Sequence, residues 1–599
     1  MSESSVEHNN ISSFRKAMIA AAIMTFLLVM AGYLVRFDGS QGSCPDWPTC
    51  YGNWGIPSGL AGWLEMGHRI LAFLTGLMVL GMLSWSVKVR MANRAIRVLL
   101  FLALAGVALG AIAGRQIVFD NSDPLLSNLH LGLAMVVMAF VTSAAVIAFR
   151  PIGQTRSHAN RSGYARLTLV TLASIFILMT SGAWLTPSGA GQACSGWPLC
   201  AGGFPTSSAA WLAFSHRILT LVSGILVGAM FFTAWRRYYH QSLILTAATG
   251  SGLLFAGQVL ISALKVSRGY PIDLIALHAA ATAALWAVVV VGAVAAIVLP
   301  NQPVEVAAAS RPAGFARFKA FVMLNKPIIV LLLLVTTFAG MVVGARQMPG
   351  IWPVFWTMIG GALAAGGASA LNQVIDREID GQMQRTAKRP LPSGALTPAE
   401  GLAYGLGACL AAFFILAGFV NLLAAVLSLA GMIYYVLLYS VWLKHATVQN
   451  IVIGGGAGAI PPLVGWAAAT GSLNIPSLFL FAIVFMWTPP HFWALAIVRK
   501  NDYARAGVPM LPVVEGERKT RVQIFIYTLE LVGLTLLMPL FNMAGSLFLV
   551  SAIALGLWLI YAAWKVLRVP GNKVAWMMYR YSSMYLAFIF LALVLDVLI

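Results

Sequence analysis

Long apolar runs recur along the whole chain, from Met18 to Ile599. Each run is about 20 residues long, which is the length that an α-helix needs to cross roughly 30 Å of hydrocarbon. The pattern predicts about 17 membrane-spanning helices, eight before residue 300 and nine after it. The fold class it predicts is an all-α polytopic membrane protein, with two four-helix-bundle repeats followed by a nine-span bundle.

Composition and charge support this interpretation. The chain is 60% hydrophobic and only 9% charged, which excludes an ordinary soluble domain. Its net charge of +20 does not indicate a nucleic-acid partner, because lysine and arginine cluster in alternate loops and not along one polar face. With a cytoplasmic N-terminus most of them fall on the inner side. The sequence predicts a multi-pass protein of the inner (cytoplasmic) membrane, surrounded by lipid, without a cleaved targeting signal.

The first half contains an internal repeat. The segment WLEMGHRI at 63–70 recurs as WLAFSHRI at 211–218, and the same offset carries His130 onto His278. Upstream, CPDWPTC at 44–50 recurs as CSGWPLC at 194–200. The pattern predicts a duplicated four-span unit, with repeats at about 18–150 and 166–299 within a domain 1–299.

Four of the five cysteines lie in the two repeated loops: Cys44, Cys50, Cys194 and Cys200. The topology puts both loops outside, where disulfides persist, so each pair is predicted to close a short loop. A metal site is disfavoured because no further ligand lies nearby. The spacing leaves open whether the bridges only stiffen the loops or also serve chemistry.

Four histidines lie near the predicted outer ends of alternate spans: His68, His130, His216 and His278. Imidazole within a membrane is costly unless it is paired or bound. Two imidazoles on facing helices suit the axial ligation of one haem iron, so each repeat is predicted to hold a haem. Ordinary interfacial histidines, or a copper or zinc site, are the alternatives.

The repeats differ in one carboxylate. Glu65 lies three residues before His68, on the same helical face, whereas the second repeat has Ala213 there. A carboxylate within the membrane is costly, which favours proton-coupled chemistry in the first repeat and simple haem binding in the second. The alternative is that Glu65 only neutralises Arg69.

Residues 18–299 resemble the haem A synthase family through Glu65-x-x-His68-Arg69, the cysteine loops and the four histidines. The resemblance implies oxidation of the C8 methyl of haem O to a formyl group. It implies that His68 and His130 frame the substrate haem, while His216 and His278 hold a haem b cofactor that passes electrons. Glu65 and the Cys44–Cys50 loop would serve the first site.

The chemical character changes after a predicted cytoplasmic linker at 300–326. In the domain 327–599, Asn372, Asp376 and Asp380 are spaced to lie along one helical face. Such oxygen ligands suit Mg²⁺, and the nearby Arg385 and Arg389 suit a diphosphate. Ordinary solvated charge is the alternative.

A second cytoplasmic loop contains Lys500 and Asp502. Asp502 is predicted to be a further metal ligand, and Lys500 a further partner of the diphosphate. Its carboxylate content is thinner than that of the first segment. The alternative of incidental charge is therefore stronger here.

Residues from about 320 to 599 resemble the UbiA-type membrane prenyltransferases, and among them haem O synthase (protohaem farnesyltransferase). The segments that carry the resemblance, besides the acidic stripe, are Asn325–Pro327, Arg385–Gly394, Trp442–Lys444, Gly454–Pro462, Pro489–Trp493, Asp502–Tyr503 and Gly507–Pro512. The resemblance implies a UbiA-type bundle in which Mg²⁺ draws diphosphate from farnesyl diphosphate and a haem b vinyl group captures the allylic cation. His491 would approach the porphyrin or serve as a structural residue.

The favoured function is bifunctional haem A biosynthesis: haem b to haem O in the second half, then haem O to haem A in the first. The electron donor or acceptor is not identified, and oxidase-assembly proteins are candidate partners. One alternative is a bis-haem electron-transfer module fused to a prenyltransferase for quinones or other aromatics. A non-catalytic haem transporter or assembly factor is a third, but it leaves the acidic stripe without a purpose.

Overall fold

The computed structural model describes residues 3–37, 39–55, 57–88, 93–119, 124–149, 163–185, 188–201, 203–299, 312–541 and 543–599. Within these ranges all regular structure is helical, which confirms the predicted fold class. Seventeen of the described helices are long and apolar enough to cross a membrane. The chain forms two compact units, Met1–Pro303 and Val304–Ile599.

The described part of the first unit contains eight long helices and a short 3-10 helix, Ala190–Gln192. The long helices are α1 (Glu3–Phe37), α2 (Leu60–Lys88), α3 (Arg94–Phe119), α4 (Pro124–Ala148), α5 (Gly163–Leu185), α6 (Ser208–Arg237), α7 (Ser242–Ser267) and α8 (Ile272–Val298). Helix α8 packs against α5 of its own repeat and against α1 and α4 of the first repeat. The buried Trp286 secures this contact by donating a 2.8 Å hydrogen bond to the carbonyl of Met135.

Between the units, residues 300–311 of the predicted linker lie outside the described residues. The second unit follows with α9 (Gly314–Leu324), α10 (Pro327–Ala345), α11 (Ile351–Ile375), α12 (Arg377–Gln382), α13 (Pro398–Phe419), α14 (Leu422–Ile433), a π-helix (Tyr434–Leu443), α15 (Lys444–Ala446), α16 (Asn450–Gly454), α17 (Gly456–Thr470), α18 (Ile475–Val498), α19 (Lys500–Arg505), α20 (Leu511–Val514), α21 (Gly516–Leu540), α22 (Ser546–Arg568) and α23 (Asn572–Leu598). The later part of the predicted linker is thus helical.

Helices α10 and α17 are in backbone contact. A Cβ atom at Gly340 would meet the carbonyl of Pro462, and one at Gly465 would meet the carbonyl of Thr337. Small residues permit this approach, which is a common way to pack helices within membranes. Helix α10 also packs against α11. Lys326 directly precedes α10, and Asn372 lies in the last turn of α11.

Candidate functional sites

The two repeated loops have the same construction. Disulfides join Cys44 to Cys50 and Cys194 to Cys200, as predicted, with Cα atoms 4.7 Å apart in both. An arginine of the following helix holds each loop. Arg69 donates to the carbonyls of Asp46 and Thr49, both at 2.6 Å. In the second repeat, the corresponding Arg217 donates to the carbonyls of Pro198 and Cys194.

Glu65 is a buried carboxylate that contacts the first loop. Its Oε2 accepts a hydrogen bond from the backbone N–H of Cys44 at 3.0 Å, and its Oε1 pairs with Arg69 at 2.8 Å. The pairing with Arg69 agrees with the alternative interpretation of Glu65. The contact with Cys44 adds something that the sequence did not predict, namely a direct link between this carboxylate and the disulfide loop.

The histidines of the first repeat face each other. The ring centroids of His68 in α2 and His130 in α4 are 6.4 Å apart, and the ring planes are inclined at 70°. Each ring packs beside a glycine: a Cβ at Gly32 would lie 3.1 Å from His68 Cε1, and one at Gly114 would lie 3.4 Å from His130 Cε1. The glycines leave room for the rings at the helix interface.

The second repeat brings His216 in α6 close enough to His278 in α8 for electrostatic interaction. His216 packs beside Gly182 in the way that His68 packs beside Gly32, with its Cε1 2.9 Å from a Cβ placed there. It differs in one contact, because Ser181 Oγ hydrogen-bonds His216 Nδ1 at 2.8 Å.

The paired imidazoles fit a haem. All four rings are only partly buried. Within the described residues, the buried Nδ1 atoms of His68, His130 and His278 have no side-chain hydrogen-bond partner. An imidazole ring within a membrane costs free energy unless its nitrogens bind a ligand or form hydrogen bonds. Neutral imidazoles on facing helices are the usual axial ligands of haem iron.

In the second unit, the predicted oxygen ligands lie together and are buried. Asn372, Asp376 and Asp380 are 4%, 3% and 4% exposed. The backbone keeps its helical bonding through the junction of α11 and α12, since Asp376 N–H donates to the Asn372 carbonyl and Asp380 N–H to the Asp376 carbonyl. The i, i+4, i+8 spacing therefore places all three side chains on one side, as the sequence predicts.

The π-helix and the residue after it form the opposite wall of this cluster. Asn372 Nδ2 donates to Ser440 Oγ at 3.0 Å and to Asp376 Oδ2 at 2.7 Å. Lys444 Nζ lies 2.6 Å from Asp376 Oδ2. Asp376 Oδ1 is buried and has no hydrogen-bond partner among the described residues. A buried carboxylate oxygen without a partner fits the ligand preference of Mg²⁺.

Two further cations complete the cluster. Arg389 Nη1 lies 2.6 Å from Asp380 Oδ2, and Lys326 Nζ donates to Asn372 Oδ1 at 2.9 Å. Burial, followed by the charge of Arg389, lowers the pKa of Lys326 to about 7, although Asp380 and Asp376 oppose this shift. Lys326 and Lys444 lie in two of the segments that carry the resemblance to the prenyltransferases. The sequence alone did not predict them as site residues.

The second loop makes no hydrogen bond or ion pair to these carboxylates within the described chain. Asp502 pairs with Arg505 and, at 3.9 Å, with Arg499, while Lys500 lies 3.9 Å from Glu517. Arg385 is exposed and interacts electrostatically with Tyr503, whose pKa burial raises. Among the described residues, no three His, Cys, Asp or Glu side chains form a metal-binding group.

His491 lies in an aromatic stack. Its ring centroid is 4.2 Å from that of Trp487 and 4.4 Å from that of Tyr579, and its Nδ1 is 2.9 Å from Ser582 Oγ. These contacts agree with the structural interpretation of His491.

Fold and sites together define a multi-pass membrane protein that joins a paired-histidine unit to a unit with a buried carboxylate and cation cluster. A family model described as UbiA prenyltransferase family matches residues 333–590, and one described as cytochrome oxidase assembly protein matches residues 58–291.

Relatives resemble the chain over nearly its full length. The protohaem IX farnesyltransferase of Roseiflexus sp. (strain RS-1) is 39% identical over 519 residues, covering 83% of this chain and 96% of that protein. The protohaem IX farnesyltransferase of Chloroflexus aurantiacus is 35% identical over 606 residues, covering 98% and 99%. A solved structure from work on digeranylgeranylglyceryl phosphate synthase is 17% identical, covers 47% of this chain and 98% of that one, and has a TM-score of 0.42.

The chain belongs to the protohaem IX farnesyltransferase family and carries a haem A synthase-like domain in its first half. Both resemblances inferred from the sequence are thereby confirmed. The protein is an enzyme that combines a transferase half with a haem A synthase-like oxidoreductase half.

Proposed function

We propose that the chain catalyses two consecutive steps of haem modification. The second unit transfers a farnesyl group from farnesyl diphosphate to haem b, which gives haem O. The first unit then oxidises the C8 methyl group of haem O to a formyl group, which gives haem A. The observation that carries the proposal is the buried cluster of Asn372, Asp376 and Asp380 with three cations, on a chain whose other unit pairs its histidines.

For the transfer, Asn372, Asp376 and Asp380 would hold Mg²⁺, with Asp502 as an additional ligand from the second loop. The bound Mg²⁺ supplies positive charge to the departing diphosphate. Lys326, Lys444 and Arg389 would neutralise the negative charge of the departing diphosphate. Arg385 and Lys500 would reach the diphosphate from the loops. Preorganised cations aimed at a developing negative charge usually provide the largest share of catalysis.

The bond changes follow from this arrangement. The C1–O bond of farnesyl diphosphate breaks, and its electron pair leaves with diphosphate. The vinyl π electrons of haem b form the new C–C bond, and water adds to the resulting cation and loses a proton. The product carries a hydroxyethylfarnesyl group.

For the oxidation, His68 and His130 would hold the substrate haem, and His216 and His278 a haem b cofactor. The haem b iron, when bound, supplies reversible electron transfer. Glu65 would accept a proton released from the substrate, and Arg69 and Cys44 fix its position. With water as the source of the formyl oxygen, the conversion releases electrons and protons from the methyl carbon and the water. It therefore requires an external electron acceptor, and the protons leave to the aqueous phase.

We also propose the inner membrane as the location, with the N-terminus and the carboxylate cluster cytoplasmic and the disulfide loops outside. The charge distribution supports this orientation. A domain boundary within 300–326 agrees with the division of the fold after Pro303.

The test is mass analysis of haems extracted from a haem A-deficient host that expresses the chain. The parent is expected to produce haem A, and Asp376→Ala to produce neither haem O nor haem A. Haem b alone from the parent would contradict the proposal. It would favour the fusion of a bis-haem module with a prenyltransferase for another aromatic acceptor.

A further inference from the structure

Lys265 is a cation of the second repeat that the proposed function does not use. It lies two residues before the end of α7 and is partly buried. Helix α7 packs against both α6 and α8, which carry His216 and His278. Lys265 is close enough to both histidines to interact with them electrostatically. Within the described part of the chain, Lys265 forms no ion pair with a carboxylate. A cation beside two iron-ligand candidates thus lacks an anionic partner.

The first repeat has no equivalent cation. The offset that carries His130 onto His278 places Ile117 at the position of Lys265. The hydrogen bond from Ser181 to His216 also has no counterpart, because the residue before Gly32 is Ala31, whereas the residue before Gly182 is Ser181. The two sites therefore share their histidines but differ in the residues around them.

A haem carries two propionate carboxylates. An ammonium group that is partly removed from water gains most from an anion that it can contact directly through a charge-assisted hydrogen bond. A hydroxyl group that fixes the ring of an axial histidine strengthens the hold on the metal. Both features favour a haem that stays bound, and the first repeat has Ile117 and Ala31 at the two corresponding positions.

We propose that Lys265 binds a propionate carboxylate of the haem at the His216–His278 site and that Ser181 positions His216. Together they make this site retain its haem, while the His68–His130 site exchanges its own. The inference rests on the proposed haem sites and adds the residues that distinguish them.

The experiment measures haem loss from the purified full-length chain in the His68→Ala background, so that only the second site is loaded. Excess apomyoglobin captures the released haem, and absorbance follows the transfer. The probes are haem b and its dimethyl ester, which lacks the propionate charges. The ester is expected to leave about 10 to 100 times faster than haem b, the range typical of residues around a metal ligand.

The Lys265→Met variant is expected to release haem b as fast as the ester, and to release the ester at the unchanged rate. Lys265→Arg should restore slow release of haem b. Ser181→Ala should speed release of both probes equally, because it acts through the imidazole ring. Lys88→Met, which removes an exposed lysine at the far end of α2, is the matched control and should change neither rate.

Equal release of haem b and ester from the protein with Lys265 intact would overturn the inference, and this comparison needs no Lys265 variant to fold. A lysine that only extends its ammonium into the aqueous phase would give that result. If His216→Ala and His278→Ala each released haem as slowly as the parent, the haem site itself would be contradicted. The two failures are thus distinguishable.

Discussion

The two units build their sites in opposite ways. In the first unit, His68 and His130 face each other with buried Nδ1 atoms that have no side-chain partner among the described residues. In the second unit, Asp376 and Asp380 are tied to Lys444 and Arg389 by 2.6 Å ion pairs. The first site gains satisfied contacts when its ligand arrives. The second must exchange existing ion pairs for contacts with a metal and a diphosphate.

The largest expected effect tests this exchange. Asp376→Ala removes a proposed metal ligand and leaves Lys444 without its partner, so farnesyl transfer should fall by about 100-fold or more. The rate of haem O formation by purified protein measures it. The absorbance of haem bound to the first unit should not change, and a fall in both would point to misfolding. Transfer within tenfold of the parent would contradict the proposed role.

The next prediction concerns substitutions in the first unit that leave the second unit unchanged. His68→Ala should abolish haem A while haem O still accumulates, because the transferase site is intact. His216→Ala should also abolish haem A, with the additional loss of tightly bound haem b. Extracted haems are identified by mass and bound haem by absorbance. A His68→Ala protein that still makes haem A would exclude His68 as a required residue.

Glu65 tests whether the first unit has chemistry beyond haem binding. Glu65→Gln keeps an oxygen that can accept from the Cys44 N–H but cannot carry the proton. If Glu65 transfers a proton, haem A formation should fall by about 100-fold or more, with haem O accumulating. If Glu65 only anchors the loop, Glu65→Gln should retain most activity and Glu65→Ala should not. Single-turnover formation of haem A distinguishes the two outcomes.

The disulfide loops offer a smaller contrast within the first unit. Replacing Cys194 and Cys200 by serine should destabilise the fold by about 2 kcal/mol, as expected for a short loop. Replacing Cys44 and Cys50 should cost a similar amount and also reduce haem A formation, since this loop contacts Glu65. Thermal unfolding with and without a reductant gives the stability. Equal activity of the two double variants would show that the first loop has no catalytic importance.

The smallest expected effect concerns the second cytoplasmic loop. Lys500 pairs only distantly with Glu517, and both side chains are more than one-third exposed. Such a pair contributes about 0–1 kcal/mol, so Lys500→Ala should leave the stability almost unchanged. Its effect on farnesyl transfer should be under about fivefold unless the loop closes over the diphosphate. A loss comparable to that of Asp376→Ala would place Lys500 in direct contact with the substrate.

The sequence predicted what depends on local spacing. Asn372, Asp376 and Asp380 recur every fourth residue, so a continuous helical backbone suffices to align them. The cysteine pairs were likewise predictable, since the partners in each loop have a sequence separation of only 6. Apolar length also predicted the seventeen candidate spans.

Other site residues are brought together only by packing. Lys326 and Ser440 contact Asn372 although they lie 46 and 68 residues from it along the chain. Lys444, four residues after Ser440, reaches Asp376. Ser181 in α5 hydrogen-bonds His216 in the next helix, α6. No periodicity relates such residues. The charge of Lys500 and Asp502 suggested a place in the cluster, but their observed partners are nearby residues of their own loop and of α21.

The π-helix at Tyr434–Leu443 has a consequence for how this span tolerates changes in length. Its i to i+5 backbone bonding, as in the hydrogen bond from the Lys444 N–H to the Tyr439 carbonyl, uses more residues per turn than an α-helix. Deleting one residue here, with the winding unchanged, would turn Lys444 about the helix axis and away from Asp376. The same deletion within an exposed loop would shift nothing in the cluster. Gene variants of this family should therefore keep a fixed number of codons across this stretch.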